Sequence, residues 1–211
     1  MEHWTEYTRL FTALFVILDP FGAVPILLAL TVKFTTSERG RAVNIAAITV
    51  FLVLVASSLL GEAILQAMGA SLASFRVGGG IVLLLMALSM LQAETGALRS
   101  TPSEEAEAEE KSSIGIVPLA IPLLAGPGAI STVIIEMHRS DAQLHALPVV
   151  LVIGLVCLIL WITLRMAATI GRVLGHTGLK IINRLFGLIL AAIAIEIMAN
   201  GLKELFPALA A

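Results

Sequence analysis

The chain has 211 residues, of which 58% are hydrophobic and 13% charged, with a net charge of −2 and a mean hydropathy of +1.00. A water-soluble surface needs roughly a quarter of all residues charged, which excludes a soluble domain, and without a clustered basic face the chain is no nucleic-acid binder. What remains is an all-α membrane protein, in which apolar runs of about 20 residues each cross roughly 30 Å of hydrocarbon.

The N-terminus, Met1 to Arg9, lacks the positive run of a signal peptide, and no small-residue cleavage pattern follows the first apolar stretch. The first apolar stretch is therefore expected to stay as a span. Six segments qualify as spans, at 7–32, 42–67, 74–93, 114–136, 146–168 and 179–203. Between the third and fourth lies the long polar stretch Gln92 to Ser113, with Glu104, Glu105, Glu107, Glu109 and Glu110, read as a solvated flexible linker. The chain divides accordingly into a first three-helix unit (1–93), a cytoplasmic acidic linker (94–113) and a second three-helix unit (114–211). The lone Cys157 lies in an apolar run and reads as a lipid-facing or packing residue. His3, His138, His145 and His176 show no metal-ligand spacing, so neither a metal nor a cofactor is expected.

Lys33, Arg39 and Arg41 lie in the first loop, Arg99 and Lys111 in the third, and Arg165, Arg172 and Lys180 in the fifth. The positive-inside rule then makes the odd-numbered loops cytoplasmic and puts both termini on the other side. A weak repeat supports two halves: Pro127 follows Pro20 by 107 positions, while Arg184, Gly187 and Asn200 follow Arg76, Gly79 and Gln92 by 108. Spans one and three match four and six, whereas two and five show no convincing match. Three spans per half is an odd number, so the second half must sit inverted, as in secondary transporters.

The first and fourth spans carry the chemistry, because each is interrupted at its middle: Asp19-Pro20-Phe21-Gly22 in one and Ala125-Gly126-Pro127-Gly128 in the other. Irregular backbone at membrane depth survives only where it is buried in protein or lines a cavity, and matched interruptions point to a transporter's binding site. A carboxylate at mid-membrane costs about 2.5 to 3.5 kcal/mol on insertion scales, so Asp19 is expected to face a cavity or a partner. Asp19 and Pro20 also read as an N-cap and first helical residue, starting a second half-helix at Pro20 that Pro25 then bends. Gly22 allows close backbone approach. In the fourth span Gly126 takes the cap and Pro127 the first helical position, with Gly128, Ser131 and Thr132 on the following turn.

An α-amino acid suits that pair. Its ammonium matches Asp19, and its carboxylate matches the amide donors and partial positive charge at the helix start near Gly126 to Gly128. The neighbours Ala23, Val24, Ala129 and Ile130 are small or apolar, which favours a neutral side chain. Asp19 can also exchange a proton, since desolvation favours its neutral form when no cation is bound. Arg76 and Arg184 read as snorkelling anchors, and Asn44, Glu136, Glu196 and Asn200 as helix-pairing or gate residues, with Pro25, Glu196 and Asn200 as secondary site candidates. Gly78-Gly79-Gly80 reads as close helix packing. Aromatic residues, 5% of the chain, do not cluster near the interruptions in sequence, which disfavours a large aromatic-lined drug site.

No enzyme is indicated: Ser131 has no histidine within its span, and Asp19 and Asp141 are the only aspartates. The expected partners are the bilayer, a small zwitterionic substrate and protons, with oligomeric state, a homo-oligomer included, left open. Two other functions stay open: transport or export of another small metabolite, drug or ion, and a non-transporting membrane scaffold.

Two stretches, Phe15 to Pro25 (FVILDPFGAVP) and Ala120 to Thr132 (AIPLLAGPGAIST), give the chain a specific likeness beyond apolar composition. It resembles the MarC family of membrane proteins, grouped with small neutral amino acid transporters and similar to LysE-type exporters. The resemblance implies six spans in an inner membrane, an inverted pair of three-helix units, and transport of glycine or alanine.

Overall fold

The computed structural model describes residues 2–32, 34–67, 69–92, 125–137 and 146–210. The acidic linker, the first half of the fourth span and the loop holding His138 and His145 lie outside them. The described elements, all helical, are α1 (Glu2–Leu18), α2 (Ala23–Leu30), α3 (Thr36–Ala67), α4 (Leu72–Gln92), α5 (Pro127–Met137), α6 (Ala146–Arg165) and α7 (Ala167–Leu205), with a closing 3-10 turn at Pro207–Ala210.

Among the described residues, five helical stretches are long and apolar enough to cross a membrane: Glu6–Leu30, Thr36–Gly61, Leu72–Gln92, Ala146–Arg165 and Thr177–Leu205. Helix α5, with 11 residues, reaches about 16 Å at 1.5 Å per residue, half of a bilayer core. The outward faces fit a lipid solvent. On α6 the exposed residues Leu147, Leu151, Leu155, Leu158 and Ile162 recur at helical spacing as one stripe, which in water would be an aggregation-prone patch.

Helix α1 occupies the centre. Its Leu10, Leu14, Val16, Ile17 and Leu18 are buried in the main apolar core, with α5, α6 and α7 packed around them. Helices α4 and α7 form the most extensive pair, and small residues explain how closely they run. A Cβ on Gly187 would stand 3.0 Å from the Ala87 carbonyl, and one on Gly201 2.9 Å from the Ala73 carbonyl, while Gly80 faces Ala194 and Met198. Low numbers on one helix meet high numbers on the other, so the two run antiparallel, with van der Waals contact as the driving term. Arg76, expected to snorkel alone, is paired with Glu204 across this interface.

Local sequence explains the helix ends. Thr35 and Glu38 form a capping box at the start of α3: the Thr35 N–H donates to the Glu38 carboxylate at 2.8 Å and the Glu38 N–H to Thr35 Oγ1 at 3.3 Å. Thr35→Ala is expected to lower stability by about 1 kcal/mol, measurable by reversible unfolding in mixed detergent micelles, with no change in ligand binding. At the end of α2, Arg39 donates to Thr31 Oγ1 at 2.9 Å and to the Thr31 carbonyl at 3.0 Å, placing a cation at the negative end of that helix. Asn44 joins α3 to α6 by accepting from Trp161 Nε1 at 2.8 Å, and Cys157 is a buried packing residue.

The fifth loop differs from expectation. Element α7 is two helices that meet in a kink at Gly175, at φ 60°, ψ −178°, a conformation essentially restricted to glycine; the break falls within the expected loop, but the first helix begins at Ala167, so Arg172 lies on it. The preceding stretch stays helical because Ala167, Ile170 and Leu174 share an apolar cluster with Val24, Leu27 and Leu28, leaving Arg172 exposed on the opposite face.

Candidate functional site

The chain turns between α1 and α2 at Asp19 to Gly22. Pro20 has no N–H to continue the ladder of α1, so the helix stops at Leu18. Asp19 then takes φ 43°, the one described non-glycine residue with positive φ. Aspartate tolerates that left-handed conformation better than most side chains, because its short polar side chain can bond locally. Here Asp19 Oδ1 accepts the Gly22 N–H at 3.0 Å, and the Asp19 carbonyl accepts the Ala23 N–H at 3.1 Å. The Asp19 side chain thus closes the turn, but the N-cap of α2 is Gly22 and not Asp19 as expected. Regular helix accordingly starts at Ala23 rather than at Pro20.

Asp19 is 1% exposed, and Pro20 and Gly22 are buried with it. A side chain on Gly22 would run into the Asp19 carboxylate. Pro25 does not bend α2: it lies in the first turn, where the Phe21 carbonyl accepts from the Val24 N–H at 3.2 Å instead.

Aromatic residues do gather at this turn, against the expectation from their spacing. The Phe15 ring centroid lies 6.3 Å from that of Phe21 and 5.6 Å from that of Phe186, and Phe21 and Phe186 are 6.2 Å apart, all edge to face. Phe186 arrives from α7, so its place is set by helix packing that no local pattern reveals. Asn183 was also missed. It lies on α7 one turn before Phe186 and is 4% exposed, and the recurrence of Leu179, Asn183, Phe186 and Leu190 every three or four residues was the available signal.

At the second motif Gly126 and Pro127 take the positions expected of them, cap and first helical residue. The Gly126 carbonyl accepts from Ala129 at 3.0 Å and from Ile130 at 3.1 Å. The hydroxyls do not point donors at a ligand. Ser131 Oγ and Thr132 Oγ1 both donate to the Gly128 carbonyl, at 3.0 and 2.9 Å, which leaves their oxygens as acceptors only. Ser131 and Gly128 also face α4: a Cβ on Gly79 would stand 2.7 Å from Ser131 Oγ, and one on Gly128 2.6 Å from Leu83 Cδ2. Leu18 and Ala23, beside the first turn, belong to the same apolar core as Ala125 and Ala129.

Of the secondary candidates Pro25 lies beside the Asp19 turn, and the other two sit elsewhere. Glu196 is exposed and pairs with Arg9 at 3.1 Å, ten residues or about 15 Å along α1 from Asp19, and Asn200 is exposed. Among the described residues no three His, Cys, Asp or Glu side chains come together as a metal site.

The model of the family described as MarC family integral membrane protein matches residues 4–206. The UPF0056 membrane protein YhcE of Escherichia coli is 37% identical over 203 residues, covering 96% of this chain and 94% of its own. The UPF0056 membrane protein YvbG of Bacillus subtilis is 35% identical, covering 95% and 96%. A UPF0056 membrane protein of Methanocaldococcus jannaschii is 38% identical, covering 92% and 94%. No solved structure matches the chain.

Proposed function

We propose, for a chain that belongs to the MarC family of integral membrane proteins, that it is a secondary transporter of small neutral amino acids of the glycine and alanine type. The observation that carries this reading is Asp19, a carboxylate 1% exposed at a left-handed turn between two apolar helices. Such a group at membrane depth is costly and is kept where it binds or moves a cation. In this reading α1 and α2 are the halves of one interrupted span, α5 is the second half of the fourth, and six spans form two inverted three-helix units. The antiparallel α4 and α7, which carry the matched Gly79 and Gly187, support that arrangement.

Asp19 receives the substrate's ammonium and exchanges a proton when the site is empty, which couples flux to the proton gradient. The start of α5 faces the carboxylate with its backbone dipole; because Ser131 and Thr132 are engaged as donors, that end relies on the backbone. The protein sits in the inner (plasma) membrane with both termini on the non-cytoplasmic side, catalyses no covalent chemistry, and alternates access around the two interrupted spans. A second cargo class has one observation in its favour: the Phe15, Phe21 and Phe186 rings beside Asp19 suit a larger apolar or aromatic amine, a drug or another metabolite.

Counterflow into proteoliposomes decides between them. Labelled alanine and glycine are expected to accumulate in vesicles preloaded with the unlabelled compound. Accumulation only of bulkier aromatic amines moves the assignment to the second class, and no flux from monodisperse protein removes transport in favour of a scaffold.

A further inference from the structure

Asn183 carries an unmet hydrogen-bonding group in the interior of the molecule. It is 4% exposed, and its carboxamide oxygen has no hydrogen-bond partner among the described residues. Leaving a buried acceptor unsatisfied costs about 1–3 kcal/mol, and an apolar side chain of the same shape avoids that cost. Leucine is such a side chain, and this helix is rich in it. An unmet amide retained there calls for an explanation other than folding.

Its position supplies one. Leu179, four residues before it, shares an apolar cluster with Val24 and Phe21. Phe186, three residues after it, sets its ring 6.2 Å from that of Phe21 and 5.6 Å from that of Phe15. Residues at this spacing lie on one helix face, so on either side of Asn183 that face meets the residues flanking Asp19. The turn after α1 and helix α7 thus place Asp19 and Asn183 each beside members of one aromatic cluster. An acceptor set with aromatic faces selects a cation rich in N–H donors; a primary ammonium has three, and ring faces add a further attraction.

We propose that Asn183 and Asp19 form the two acceptor walls of one binding site for a primary ammonium group. The inference rests on the transporter reading in assigning that ammonium to the substrate, and it adds to it a residue on α7, so that the last span and the Asp19 turn close on the ligand together.

The test compares wild type with Asn183→Leu by thermal unfolding in detergent, with methylammonium, glycine and alanine as probes. The expected result is that Asn183→Leu melts at or above the wild-type temperature without ligand, while the wild-type shift on adding an ammonium compound is lost or needs at least tenfold more ligand. Retention of the wild-type shift in Asn183→Leu overturns the proposal, as does a wild type that no probe stabilises. Should Asn183→Leu not fold, Asn183→Thr, which keeps an oxygen acceptor at reduced reach, and Asn183→Ala, which keeps none, are read the same way: a shift left as strong as wild type's in both overturns the proposal. Stabilisation by methylammonium but not by the amino acids, lost in Asn183→Leu, supports the site while removing small amino acids as its ligand. Stabilisation by alanine that survives in Asn183→Leu does the reverse.

Discussion

Asp19→Asn is expected to fold as well as wild type and to lose flux and binding of alanine by a hundredfold or more. Asparagine keeps what the turn requires. It tolerates the left-handed backbone found at φ 43°, and its carbonyl oxygen can still accept the Gly22 N–H that Asp19 Oδ1 accepts at 3.0 Å. It also removes the cost of burying a carboxylate, so the apo protein should unfold at the same temperature or higher. What it takes away is the negative charge. Removing one partner of a buried ion pair costs about 3–5 kcal/mol, and each 1.4 kcal/mol is a factor of ten in affinity. Asp19→Ala is the contrasting variant: it loses the hydrogen bond to the Gly22 N–H, worth about 1–3 kcal/mol, and strains the left-handed turn, so its loss of flux comes with a loss of stability. Flux through Asp19→Asn at the wild-type level would make Asp19 a turn-closing residue only.

How much of this was legible in the sequence follows the range of the forces involved. Asp19-Pro20-Phe21-Gly22 announces a turn because proline removes a donor at a fixed position, and the Thr35 and Glu38 capping box is equally local. The lipid-facing stripes are legible for the same reason, since 3.6-residue spacing is a property of one helix. The company Asp19 keeps is another matter. Phe15 and Phe21 meet Phe186 only because α7 packs beside α1, and Asn183 becomes notable only once its face is known to meet that cluster. Glu196, a turn or two inside the last span by sequence, lies on an outer face beside Arg9. The stretch between the fifth and sixth spans reads as a loop, yet the chain breaks only at the Gly175 kink, and a short helix precedes it because the apolar side of Ala167 to Leu174 has α2 to pack against. Ser131 and Thr132 illustrate a subtler limit: hydroxyls on a helix satisfy themselves on the preceding turn, so their presence at a candidate site says little about donors available to a ligand.

Gly22→Ala probes the turn directly, because the steric term that opposes it comes from a single side chain. Gly22 has φ −67° and ψ −25°, ordinary helical backbone that alanine adopts without strain, although alanine is the poorer residue at an N-cap. The obstacle is the Asp19 carboxylate, which occupies the place a Cβ would take. The carboxylate has to swing away and abandon its hydrogen bond to the Gly22 N–H, or the turn has to open. Either outcome is expected to cost about 1–3 kcal/mol of stability, the usual range for forcing atoms into a filled site, and to weaken alanine binding because Asp19 no longer holds its bound position. A double-mutant cycle isolates the cause. In an Asp19→Ala background the obstructing atoms are gone, so adding Gly22→Ala should cost only the poorer N-cap, giving a coupling of about 1–3 kcal/mol between the two positions. Gly78→Ala serves as the control: nothing lies within 4 Å of the place its Cβ would take on α4, and the substitution should raise stability slightly through helix propensity. Additive effects at 19 and 22 would mean that the carboxylate does not hold the position on which the proposed binding site rests.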